Sequence, residues 1–394
     1  MADILRKTYI ENLKKYKDLD LIKVLTGIRR SGKSTILLQY IEELKKEGLE
    51  DTQIVYYNFE KIQADEIYNY KGLYNKIIEK KIAGKKLYVF LDEIQEVESF
   101  EKTVNSLYLD KEIDIYITGS NANLLSSELA TLLTGRYIEL KVYPFSFKEY
   151  LEATSKNIEE GFNDYMLYGA MPYITKLNDI EIIKEYLQNL YNTILLKDIV
   201  KRKSIKDVSI LDDLSRFLCD SVGLIVSPKS ISDTMTSKGR KVSSITIDNY
   251  ITYLCESLLF YQCNRYDIRG KQNLETLNKL YLVDQGFKNI LTNQNANFGH
   301  TLENIIYIEL LRRNYKVQIG KINDMEVDFI CQKFEEIKYI QVAASVLDER
   351  TFERELRPLQ MIKDNYEKII ITLDTLPIGK DGIKVVNAKE FLLQ

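Results

Sequence analysis

The chain has no tryptophan and a single histidine, His300, in 394 residues. An imidazole-based metal centre has almost nothing to draw on, and neither does a His-dependent triad. The four cysteines, Cys219, Cys255, Cys263 and Cys331, include no C-x-x-C pair. That usage argues against a zinc site and fits a reducing compartment. Prolines number five and glycines 17, too few for long disordered linkers. No run approaches the roughly 18 apolar residues of a membrane span. The start, MADILRKTYIENLKKYKD, has no apolar h-region. The expectation is a cytoplasmic protein with no membrane partner. An excess of one charge is also missing, since 55 Lys+Arg face 58 Asp+Glu for a net −3. A nucleic-acid role must then sit in a local basic patch.

What is present is apolar content of 45%, enough for real cores, over a length that suggests roughly two to three domains. The first 145 residues alternate strand-like and helix-like stretches. LIKVLTG, QIVYYNFE, KKLYVFLDE, IDIYITGS and RYIELKVYPF read as strands. Their continuous apolar runs, with helical stretches between, predict an α/β unit with a parallel sheet covered on both faces. After Pro144 the chain becomes mostly helical to about Lys206. Residues 207–285 read as three helices and a strand pair. Residues 286–394 read as a long helix, a hairpin, a helix, a strand and a last helix.

GIRRSGKST, Gly27 to Thr35, matches G-x-x-x-x-G-K-[ST] between an apolar strand and a helix. That context gives the motif its mechanism. Backbone N–H groups of Gly27, Ile28, Arg29, Arg30, Ser31 and Gly32 can curl round a phosphate. The helix N-terminus at Lys33, Ser34 and Thr35 adds partial positive charge. Lys33 reaches the outer phosphates and Ser34 ligates Mg²⁺. LYVFLDE delivers Asp92 to the carboxyl end of a buried strand, as a second Mg²⁺ holder through water. Glu93 follows as the group that polarises the attacking water. Asn121, after the next strand, is a candidate for the γ-phosphate or that water. Arg136, between a helix and the fifth strand, is a candidate finger for a neighbouring subunit's site, which implies a homo-oligomer.

Phosphate loop, FLDE, ITGSNA and LTGRYIELKVYPFSFKEYL, in this order, resemble the AAA+ type of P-loop ATPase. More narrowly, the chain resembles a prokaryotic family of AAA-domain ATP-binding proteins. YGAMP (168–172), LKDIVKR (196–202), FGHTLEN (298–304) and EVDFI (326–330) carry that resemblance. It implies ATP and Mg²⁺, with an AAA+-like core over 1–145 and a helical lid over 146–206. It further implies a winged helix over 207–285 and a PD-(D/E)xK-like α/β domain over 286–394.

A winged helix here would start its third helix near Val242 and present Ser243, Ser244, Thr246 and Asn249 to a groove. Lys238, Arg240 and Lys241 precede it, and the presumed wing carries Arg265, Arg269 and Lys271. Together they make a candidate DNA patch. The nuclease-like pattern needs a carboxylate on one strand, then an acid and a lysine two apart on the next. Strand alternation puts Glu326, Asp328 and Ile330 on one face, and Val327 and Phe329 on the other. Asp328 suits the first position and Glu303 the helix acid. Gln341 stands at the second acid and Ala343 at the lysine. Lys338 lies on the opposite face, and His300 reads as a helix-start or packing residue. The expectation is a degenerate site kept for binding. A nucleotide switch acting on protein partners and an ATP-assisted nuclease are the alternatives.

Overall fold

The computed structural model describes residues 4–61, 65–121, 135–292, 298–375 and 379–394. The chain divides into two compact units, Met1–Val142 and Tyr143–Gln394.

The first unit runs α1 (Lys7–Tyr16), β1 (Ile22–Thr26), α2 (Lys33–Lys46), β2 (Ile54–Asn58), α3 (Tyr70–Ile78), β3 (Leu87–Asp92), α4 (Phe100–Tyr108), β4 (Ile113–Gly119) and β5 (Tyr137–Lys141). The helix expected ahead of Arg136 lies outside the described residues. All five strands are parallel, in the order β2-β3-β4-β1-β5. Every residue of β1, β3 and β4 is buried, which is why they read as unbroken apolar runs. Parallel neighbours require crossover helices, and these cover both faces. Leu13 of α1 and Ile36, Leu37 and Tyr40 of α2 pack on Leu25, Phe90 and Tyr116. Leu73 and Ile77 of α3 and Val104 and Leu107 of α4 pack on Val24, Val89, Leu91 and Ile115. Each such side chain contributes about 1.5–3 kcal/mol when fully buried. Lys23 and Asp114, near the amino ends of β1 and β4, form an ion pair that solvent does not reach.

The second unit begins with α5 (Phe147–Thr154), α6 (Ile158–Tyr168) and α7 (Ile180–Thr193). α5 starts in a reciprocal cap in which Ser146 and Glu149 satisfy each other's backbone N–H. Then come α8 (Val208–Asp220), β6 (Ile225–Val226), α9 (Pro228–Ser237), α10 (Ser244–Glu256), β7 (Phe260–Asp267), β8 (Gln272–Leu282) and α11 (Gln285–Leu291). The last stretch is α12 (Phe298–Arg312), β9 (Lys316–Ile322), β10 (Met325–Lys333), β11 (Glu336–Ala343), α13 (Glu349–Gln360), β12 (Glu367–Thr372), β13 (Lys384–Asn387) and α14 (Ala388–Leu393). One eight-stranded sheet, in the order β13-β12-β11-β10-β9-β7-β8-β6, runs through all of this. The seam is the parallel pairing of β7 with β9, Arg265 opposite Ile319. Strands expected in two separate segments therefore share one sheet.

Two expectations fail here. β10 carries a bulge between Val327 and Ile330, and an extra residue breaks alternation. Ile330 therefore joins Val327, Tyr339 and Leu356 in one apolar cluster, while Phe329 packs against Tyr281 and Tyr307. Ile330 does not share a face with Glu326 and Asp328. Arg265, expected in an exposed wing, lies inside β7 between β8 and β9, with its Nε buried. Arg269 and Lys271 do occupy the exposed β7–β8 turn.

Candidate nucleotide site

The phosphate loop leaves β1 at Thr26 and enters α2 at Lys33. Its glycines answer to two different demands. A Cβ on Gly27 would stand 2.3 Å from the Val142 carbonyl oxygen and 2.8 Å from Ser31 Oγ. Gly32 has φ of 99°, a left-handed conformation that glycine adopts at little cost. No side chain caps α2, so its first N–H groups stay open to an anion. Ser31 Oγ is wholly buried and has no hydrogen-bond partner among the described residues. An unsatisfied donor inside an open helix N-terminus fits a phosphate ligand.

Lys33 Nζ donates to the carbonyls of Gly27 and Ile28, at 3.0 and 3.3 Å. It lies 3.2 Å from Glu93 Oε1. Asp92 ends β3 and is fully buried. Thr118 Oγ1 donates to its Oδ1 at 2.6 Å; Asn58 Nδ2 and Tyr56 OH donate to its Oδ2 at 2.7 and 3.1 Å. The Ser34 hydroxyl bonds the same carboxylate. Burial pushes the Asp92 pKa up, against these hydrogen bonds. Adjacent serine hydroxyl and carboxylate oxygens form a hard donor set that suits Mg²⁺.

Glu93 has φ of 56°, and its N–H donates to Thr118 Oγ1 at 2.8 Å. Gln95 Nε2 donates to Glu93 Oε2 at 2.5 Å. Burial alone would raise the Glu93 pKa. The Lys33 ammonium, the Gln95 amide and the Arg29 guanidinium outweigh it and hold the pKa down at about 2. Glu93 is thus an ionised carboxylate at any ordinary pH. Asn121, two residues beyond β4, is buried. Arg6, ahead of α1, is 1% exposed and donates from Nη1 to the Ser31 carbonyl at 3.0 Å.

The loop, Lys33, Ser34, Asp92, Glu93 and Asn121 therefore all belong to the carboxyl edge of the sheet. Arg30 belongs to the same loop and is exposed, with φ of 67°. Arg136 is not brought there. It precedes β5, whose start pairs with the start of β1, and it donates to Asn105 Oδ1 at 2.9 Å over the Tyr108 ring. Sequence reasoning missed Thr118, Tyr56, Asn58 and Gln95. Only the small polar residues ending β2 and β4 hinted at them.

In the second unit, Glu303, Asp328 and Gln341 do come together. Lys279 of β8 adds itself to them. Its Nζ is 3.0 Å from Glu303 Oε1 and 2.6 Å from Glu326 Oε1. Tyr281 OH donates to Glu303 Oε1 at 2.6 Å. His300 Nδ1 lies 3.5 Å from Glu303 Oε2. Asp328 Oδ2 accepts from the Val342 N–H at 2.8 Å, and Gln341 Oε1 accepts from the Asp328 N–H at 2.7 Å. Gln341 Nε2 donates to Glu355 Oε2 at 2.8 Å. Burial, then Glu303, pushes the Asp328 pKa well up. Burial opposes ionisation of Glu303 too, but His300 and Lys279 hold its pKa down. Among the described residues, no group of three or more His, Cys, Asp or Glu side chains forms a metal cluster. Lys338 is paired elsewhere, with Glu336 and Glu367.

Arg240 of the expected DNA patch is tied back to α8, with Nε 2.9 Å from Asp213 Oδ2. Lys238 and Lys241 are exposed beside it.

The first unit has the sheet order and phosphate loop of an AAA-type P-loop domain. Residues 20–151 match a family model described as an AAA domain, and residues 159–297 match a domain of unknown function, DUF8612. The chain belongs to the same family as an uncharacterized protein of Haemophilus influenzae, 42% identical over 407 residues that span 100% of this chain and 99% of that one. An uncharacterized protein of Methanocaldococcus jannaschii is 29% identical over 397 residues, 95% of this chain and 86% of that one. Among solved structures, a Walker-type ATPase of Pyrococcus abyssi aligns with TM-score 0.48 and 16% identity, over 73% of this chain and 96% of that one. The Orc1 protein of Aeropyrum pernix, solved in complex with DNA, aligns with TM-score 0.35 and 12% identity, over 74% and 93%. No helix among the described residues is long and apolar enough to cross a membrane.

Proposed function

We propose that the protein is a Mg²⁺-dependent ATPase whose cycle is coupled to nucleic-acid binding by the second unit. The observation that carries the ATPase reading is the convergence of Lys33, Ser34, Asp92 and ionised Glu93 on one buried edge. Backbone N–H groups of Gly27–Gly32 and the α2 N-terminus bind the phosphates. Lys33 exchanges Glu93 for phosphate oxygens. Ser34 and, through water, Asp92 would hold Mg²⁺, which would supply charge neutralisation at the phosphates. Glu93, freed of Lys33, polarises the attacking water, and Asn121 orients it.

The coupling to nucleic acid rests on the order α8, β6, α9, α10, β7, β8, with β8 pairing both β6 and β7 antiparallel. We read this as a winged helix, the turn Arg269–Lys271 being its wing. The start of α10 is open to solvent, with Ile245 73% exposed, as a groove-reading helix requires. The order α12, β9, β10, β11, α13, β12 supports a PD-(D/E)xK-like reading of the rest. Its site is kept for binding rather than cleavage. The Lys279 ammonium occupies Glu303, one of the carboxylates a metal would need, and Gln341 is neutral. The test is ATP turnover across a panel of DNA and RNA forms, with the same nucleic acids checked for cleavage. Stimulation of turnover without cleavage supports the reading. Turnover indifferent to every nucleic acid favours the switch on protein partners, and cleavage lost in Asp328→Ala would restore the nuclease.

A further inference from the structure

The roles above use the phosphate loop through its backbone, and the side chain of Arg29 has none of them. Arg29 is the third residue of the loop and only 6% exposed. Its Nη1 pairs with Glu60, two residues beyond β2. The residue before Glu60, Phe59, donates its N–H to the Asp92 carbonyl at 3.0 Å, so the pair belongs to the edge that carries Asp92 and Glu93. A guanidinium cannot shed its proton to ease its burial, so burial here is tolerated through the Glu60 carboxylate. Glu93 is paired with Lys33 at that same edge, 3.2 Å apart. The loop lysine reaches the outer phosphates, and the carboxylate must approach the water that attacks the last of them. The region these three side chains share is where a terminal phosphate has to lie.

We propose that Arg29 is a γ-phosphate-binding residue acting within its own chain, and that Glu60 holds it until a nucleoside triphosphate arrives. The proposal rests on the reading of this edge as an ATPase site. A triphosphate brings a charge for which the guanidinium leaves Glu60, and its planar fork suits phosphate oxygens. A diphosphate lacks that group, and Arg29 stays on Glu60. Arg29 therefore makes the site prefer triphosphate over diphosphate. It supplies from within the chain the charge that Arg136, held by Asn105, would have to bring from a neighbour.

The experiment is equilibrium titration of the full chain with fluorescent ADP and a fluorescent non-hydrolysable ATP analogue, in Mg²⁺. Wild type, Arg29→Ala, Arg29→Lys and Glu60→Gln are compared. Arg29→Ala is expected to weaken the triphosphate about 10- to 100-fold, the worth of a charge-assisted hydrogen bond, and the diphosphate by less than about threefold. Arg29→Lys falls between, and Glu60→Gln tightens the triphosphate alone. Turnover per chain stays constant with protein concentration. Equal loss of both nucleotides in Arg29→Ala would reduce Arg29 to a loop support and overturn the proposal. So would a preference that survives the substitution, or no gain in Glu60→Gln. Turnover that climbs with concentration and vanishes in Arg136→Ala overturns the within-chain part. Wild type that binds neither nucleotide defeats the ATPase reading itself, a result distinct from the others, and takes the proposal with it.

Discussion

Substitution of Glu93 by Gln separates binding from hydrolysis at this site. Glu93 and Lys33 are 7% and 3% exposed and 3.2 Å apart. Removing one partner of such a buried pair costs about 3–5 kcal/mol. Glutamine keeps the shape and an oxygen, so the lower end applies. Lys33 would be left with the Gly27 and Ile28 carbonyls, which carry no full charge. A bound triphosphate replaces the lost negative charge. If half of ~3 kcal/mol returns on binding, affinity rises about tenfold. Hydrolysis loses its base and falls by about 10²–10⁴. The assay pairs thermal unfolding, with and without Mg·ATP, with steady-state turnover. Glu93→Gln should melt earlier than wild type alone, gain more from ATP, and turn over far more slowly. A gain no larger than wild type's, with turnover intact, would refute the roles given to both residues.

Three further outcomes follow from the second unit. A Cβ at Gly169, where φ is 74°, would stand 1.8 Å from Asp284 Oδ1, so Gly169→Ala should cost more than ~2 kcal/mol in urea unfolding; a cost under ~0.5 kcal/mol contradicts that junction. Burial raises the Asp284 pKa from 3.8 to about 6, against the Ala170 and Gly286 N–H groups. The folded state then holds the proton longer than the unfolded one, so stability present below about pH 3.8 is lost as pH rises through about 6, by ~3 kcal/mol. Asp284→Asn should abolish that loss, and parallel pH curves for variant and wild type would rule it out. Replacing Lys238 and Lys241 by Ala should lower the slope of log affinity for duplex DNA against log salt by about 1.8. Arg240→Ala should change it less, because Asp213 already holds that guanidinium; an unaltered slope in the double variant removes the patch.

The phosphate loop and its acids were legible because each is a local event. An apolar run buried on both faces ends in glycine, and a helix follows. The shell around Asp92 was not, since Asn58 and Thr118 reach it across β2 and β4, and strand order is absent from any single stretch. Lys279 escaped for the same reason, because β8 and α12 bring it to Glu303. The faces of β10 were misread because alternation is a rule for regular strands and a bulge leaves no mark in MEVDFI. α12 gave a weak signal, since ten consecutive residues from Thr301 to Leu310 are buried and no polar stripe remains to show its period.

The central claim is that the edge bearing Lys33, Asp92 and Glu93 binds Mg·ATP. Its most direct test is calorimetric titration of the full chain with a non-hydrolysable ATP analogue in Mg²⁺, beside Lys33→Ala. The account predicts one site per chain, present in wild type and lost in the variant. No heat in wild type, or the same isotherm from both proteins, would contradict it.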